Sequence, residues 1–146
     1  MQHNTQLDQL LITLSRSLLQ YVGEAWPWTG SHASTERQKI NELVSRQQKQ
    51  ISRLSELLSR RNRYIDFGTY PTEYTDLHYV ALDYLLSQLI ENEDSLITDL
   101  EQTLQKCTDD SDAIPLLQQI LSDQRASLSQ LQELGVGGSG SGIEIR

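Results

Sequence analysis

One cysteine, one methionine, one phenylalanine and three prolines are all that this 146-residue chain holds of those types. A lone Cys107 excludes an intramolecular disulfide and a thiolate metal cage. It reads as a buried bystander thiol, because Lys106 beside it is opposed by Asp109 and Asp110. Positive charge is also scarce. Twelve Lys and Arg face twenty Asp and Glu, for a net charge of −8. That balance argues against nucleic acid as the main ligand, since phosphate neutralisation needs clustered cations. The local exception is Arg53, Arg60, Arg61 and Arg63. The last three lie at a predicted helix end, where cations suit the helix dipole. Apolar runs such as Leu10–Leu11–Ile12 are too short to cross a membrane. The opening "MQHNTQLDQLL" lacks the charged and apolar regions of a signal peptide, so a cytoplasmic location is expected. Of three histidines, His3 and His32 read as surface residues. His78 reads as half-buried and bonded to a carboxylate or carbonyl. No Ser/His/Asp logic, phosphate loop or nucleotide fingerprint is present.

What the chain does have is helical periodicity. Leu7, Leu10, Leu11, Leu14, Leu18, Tyr21 and Val22 form one stripe. "WPWTGSH" breaks it, and Pro27 predicts a helix end near Ala25. A second helix is expected from about Ala33 or Ser34 to about Arg63, with Glu36 suited to its first turn. Its stripe is Ile40, Leu43, Val44, Gln47, Ile51, Leu54, Leu57 and Leu58. "YIDFGTYPTEYTD" has no helical period. A third helix is expected from about Thr72 to Thr75, carrying Leu77 through Leu104. "CTDDSDA" then turns, with Asp112 as the predicted N-cap and Pro115 in the first turn. The fourth helix carries Leu116 through Leu134 and is expected to end at Gly135.

The prediction is therefore an all-α fold, a four-helix bundle over residues 1–135. Two antiparallel hairpins are joined by one long crossover. That link of about ten residues, at ~3.3 Å each, reaches roughly the length of a twenty-residue helix. Residues 136–146 are expected to be a flexible Gly/Ser tail. Its terminal "IEIR" reads as frayed chain, a cloning remnant, or a peptide that adds a strand to a partner. Trp26, Trp28, Tyr70 and Tyr74 belong to an aromatic group around the first turn and the crossover. It reads as structural cover, or more sharply as a partner surface.

Polar residues interrupt three stripes near mid-helix. They are Gln47 with Gln48, then Asn92 with Glu93, then Gln124 with Ser127. Counting from the turns places them at similar heights, where the first helix offers Thr13, Arg16 and Ser17. A polar side chain inside a bundle needs a partner.

"LVSRQQKQISRLSELL" and "LLQQILSDQRASLSQLQEL" resemble the second and fourth helices of the ferritin-like superfamily. "GEAWPW" and "DFGTYPTEYTDLHYVALDYLL" resemble segments of its uncharacterised bacterial branches. The resemblance covers roughly residues 5–134. It implies a bundle of the rubrerythrin and bacterioferritin type, in which Glu-x-x-His motifs hold two irons. On that resemblance Gln48 and Gln124 stand at Glu positions, and Ile51 and Ser127 at His positions. Glutamine is neutral, isoleucine cannot ligate, and serine ligates weakly. A di-iron site needs a carboxylate from each of two helices plus Glu-x-x-His from the other two. The expectation is a degenerate metal site with no metal and no cofactor. The function expected is a non-enzymatic structural or interaction module, paired with a second copy of itself or with another protein, and acting on neither membrane nor nucleic acid. The alternative is a residual metal-binding protein or oxidoreductase using Glu91, Glu93 and Asp123.

Overall fold

In the computed structural model, backbone is described for residues 2–25, 34–72, 74 and 82–145, and side chains for 2–24, 35–72, 74 and 84–134. Five helices and no strand occur among the described residues: α1 Asn4–Ser15, α2 Leu18–Ala25, α3 Ser34–Arg60, α4 Leu82–Lys106 and α5 Ala113–Ile145. Trp26, Trp28, His32 and His78 lie outside them, as do residues 73 and 75–81 at the expected start of the third helix. No helix among the described residues is long and apolar enough to cross a membrane.

The first stripe is two helices rather than one. At the junction the N–H of Leu18 does not reach back to Leu14. It donates to the side-chain Oδ1 of Asn92 on α4, 3.0 Å away. A side chain inserted into the backbone ladder is a recognised cause of a helix break. Ser17 caps the new start, its hydroxyl accepting from the N–H of Gln20 at 3.4 Å. The break hides in the sequence because Leu14, Leu18 and Tyr21 keep helical phase across it.

The other ends follow local chemistry. After α3, Asn62 takes a left-handed φ of 60°. Arg63 N–H bonds Leu58 O, and Asn62 N–H bonds Ser59 O, which completes a Schellman cap. At the start of α5, the carboxylate that receives Ala113 N–H is that of Asp110, at 3.3 Å, not that of the expected cap Asp112. α5 also continues past Gly135, where the sequence predicts its end. Glycine costs a helix about 1 kcal/mol relative to alanine, but no proline beyond Pro115 removes a ladder bond.

The apolar core falls into two clusters. One joins Leu7–Leu14 of α1 to Leu54, Leu57 and Leu58 of α3, Leu96–Leu100 of α4 and Leu117–Leu121 of α5. The other joins Leu18–Val22 of α2 to Ile40–Val44, Leu85–Leu89 and Leu131. The residues that share a level fix the helix directions. α1 and α5 run one way, whereas α3 and α4 both run the other. The chain from Arg61 onward therefore has to climb between α3 and α4. It does so along α1 and α2: Ile65 packs on the first cluster, and Tyr70 and Tyr74 on the second. Arg16 Nε donates to Phe67 O at 2.8 Å on the way. At Gly68, with φ of 73°, a Cβ would stand 2.7 Å from Ile12 Cγ2, so both backbone shape and space demand glycine.

Candidate functional site

Between the two apolar clusters lies a layer of polar side chains. Ser17, Gln20, Gln47, Gln50, Glu93, Gln124 and Ser127 are all buried. Gln47 is its hub. Its Oε1 accepts from Ser17 Oγ at 3.0 Å and from Gln20 Nε2 at 2.8 Å. Its Nε2 donates to Glu93 Oε1 and to Gln124 Oε1, both at 3.4 Å. Gln124 Nε2 in turn donates to Gln50 Oε1 at 2.5 Å, and Gln20 Nε2 also reaches Val44 O. One glutamine thus uses both oxygen lone pairs and both amide hydrogens.

Among the described residues Glu93 is the only carboxylate in the layer, and it is fully buried. Burial pushes its carboxyl up to about 8, against a smaller opposing effect of the Gln47 hydrogen bond. Burial thus favours the protonated, uncharged form of this carboxyl near neutral pH. Among the described residues, Glu93 Oε2 and Gln50 Nε2 have no hydrogen-bond partner.

The sequence-predicted residues divide sharply. Gln124, Ser127 and Glu93 are in the layer. Gln48 is exposed, and Ile51 packs half-buried against the first apolar cluster. The inward pair on α3 is Gln47 and Gln50, so the assignment of Gln48 and Ile51 is one residue out of register. Glu91 points to solvent. Asp123 is half-buried and receives a hydrogen bond from Gln119 at 3.0 Å. Glu91 and Asp123 do not join Glu93. Among the described residues no three His, Cys, Asp or Glu side chains gather where they could hold a metal ion. Thr13 bonds back to Gln9 O, and of the first-helix candidates only Ser17 enters the layer.

Gln20 and Gln50 escaped the sequence reading, for different reasons. Gln20 turns inward because α2 is enclosed on several sides, and Leu18 through Val22 are all buried. Residues of α3, α4 and α5 and the crossover tyrosines Tyr70 and Tyr74 make up that enclosure. Gln50 did carry a signal. Ile40, Leu43, Gln47, Gln50, Leu54 and Leu57 alternate steps of three and four, the a/d pattern of a packed helix seam. Ala113, Leu117, Ile120, Gln124, Ser127, Leu131 and Leu134 do the same on α5.

A second polar centre sits at the end of the first apolar cluster. Arg61 forks onto Asp110, with Nη1–Oδ2 at 3.0 Å and Nη2–Oδ1 at 2.7 Å. The same carboxylate accepts from His3 N–H and Ala113 N–H, and Arg61 also reaches Asn4 Oδ1. These bonds, led by that of Arg61, hold the Asp110 carboxyl down to about 2. The sequence offered Arg61 a dipole role or, with its arginine neighbours, anion or RNA binding. Its buried pairing ties the α3 end, the N-terminal segment and the α4–α5 turn together.

Of the aromatic candidates, Tyr70 and Tyr74 are half-buried against Tyr21, with ring centroids 5.1 and 5.4 Å from it. Tyr70 donates to Glu24 Oε2 at 2.8 Å, and burial followed by that bond pushes its hydroxyl up to about 12. Both are packing residues of the crossover. Among the described residues Tyr64, Phe67 and Tyr84 are the large apolar side chains that stand out to solvent. No protein-family model matches the chain, and no curated protein matches it.

Proposed function

We propose that this chain is a ferritin-like four-helix bundle that has exchanged a di-iron centre for a hydrogen-bonded glutamine layer. On this reading it works without catalysis, as a structural or protein-interaction module. The observation that carries the proposal is the make-up of the layer. Di-iron bundles take Glu-x-x-His from two helices and one carboxylate from each of the other two. Here Gln47–Gln50 on α3 and Gln124–Ser127 on α5 occupy two such i, i+3 pairs. On this reading buried Glu93 on α4, and buried Ser17 at the α1–α2 junction with Gln20 on α2, stand for the single ligands. One protonated carboxyl and several amides do not suit a pair of hard cations. The shared direction of α3 and α4, and the crossover climbing between them, support the ferritin-like connectivity. A cytoplasmic setting suits a chain whose one thiol has no second cysteine to pair with.

The test is metal content and metal-linked stability. After expression with added iron and manganese, less than a tenth of an equivalent per chain is expected. Chelator should leave the melting curve in place. One equivalent or more per chain, or a melting temperature that follows added Fe(II) or Mn(II), overturns the proposal.

A further inference from the structure

At the α1–α2 break a cleft of about 270 Å³ opens between the crossover and α4. Arg16 and Asp99 stand on its lining with Ser95, and Ile12, Pro71 and Leu96 supply apolar wall. Arg16 is held in place. Its Nε donates to Phe67 O, and its guanidinium carbon lies 4.4 Å over the Tyr70 ring. Neither hold uses a carboxylate, and among the described residues Arg16 and Asp99 form no ion pair with each other or with anything else. Opposite charges thus share one small cleft, unneutralised, with apolar surface beside them.

We propose that this cleft binds a small zwitterion with an aliphatic body, its carboxylate on Arg16 and its ammonium on Asp99. A planar arginine fork already fixed by stacking is suited to a carboxylate. Drug-sized ligands occupy about 300–1,000 Å³, so this cleft takes something smaller, of amino-acid size. Ser17 and Asn92 also line it, and these two side chains make the break. A bound zwitterion would therefore brace the junction of α1 and α2. The proposal is independent of the ferritin-like reading.

Calorimetric titration of the full chain tests it, with L-valine, L-leucine and 4-aminobutyrate as zwitterions, and isobutyrate and isobutylamine as the two half-charges. At least one zwitterion should saturate below ~10 mM and bind at least tenfold more tightly than either half. Asp99→Asn, a change on an exposed side chain, should weaken it about tenfold, and Ser95→Phe should block the cleft with the charges intact. Both variants should keep wild-type helicity by circular dichroism. Saturation by none of the zwitterions, equal binding of isobutyrate, or unchanged affinity in both variants overturns the proposal.

Discussion

The backbone N–H of Leu18 and the side-chain oxygen of Asn92 lie 3.0 Å apart, so a residue of α4 supplies the acceptor that α1 would otherwise supply to α2. The break is thus made by a tertiary contact. Asn92→Ala leaves that N–H without a partner at a half-buried site, and a loss of about 1–3 kcal/mol is expected. Hydrogen exchange should localise the effect: the amides of Leu18 to Val22 lose protection before those of α3.

Glu93 sets a pH dependence opposite to that of most carboxylates. Its native carboxyl titrates near about 8, against 4.5 for the ordinary value. The stability it contributes is fully present below the lower figure and is lost as pH rises through the upper one. Glu93→Gln keeps the shape and removes the titration. Thermal melts should show this variant gaining on the wild type from pH 5 to pH 9, by an amount on the order of a few kcal/mol. Parallel pH profiles for the two proteins would refute the protonated layer.

Asp110 behaves in the other direction. Its carboxyl is held at about 2 by Arg61. The stability it contributes is present above the ordinary aspartate range and is lost as pH falls through about 2. Arg61→Met should cost about 3–5 kcal/mol near neutrality, because it strands a buried carboxylate. Adding Asp110→Asn to that variant should recover much of the loss, as read by urea denaturation.

Gly23 of α2 lies against Val44 of α3. A Cβ there would stand 2.8 and 2.9 Å from the two methyls of Val44. Alanine would gain about 1 kcal/mol in helix propensity, but Val44 is β-branched and cannot swing aside cheaply. Overpacking of about 1–3 kcal/mol should win, so Gly23→Ala destabilises. Val44→Ala in the same chain should relieve part of that loss, and a double-mutant cycle measures the coupling.

Much of this architecture was legible because the leucines keep period. The stripes located α3 closely. The polar layer was visible as interruptions at Gln47, Glu93 and Gln124. Its register on α3 was not read correctly, because Gln47 and Gln48 are adjacent and differ only by a rotation about the helix axis. The a/d spacing through Gln50 would have decided between them. The α1–α2 break, the role of Gln20 and the Arg61–Asp110 pair depend on residues far apart in the chain. No local pattern could have announced them.

The glutamine layer also has a consequence for assembly. A leucine seam tolerates sliding, since one apolar step resembles the next. Gln47 does not, because its four hydrogen bonds reach Ser17 at the α1–α2 junction and Gln20, Glu93 and Gln124 on three other helices. Moving α3 along its axis by one turn would set those amides against leucine and leave them unpaired, at about 1–3 kcal/mol for each group. The layer is an index mark: it tells every helix at what height to stop.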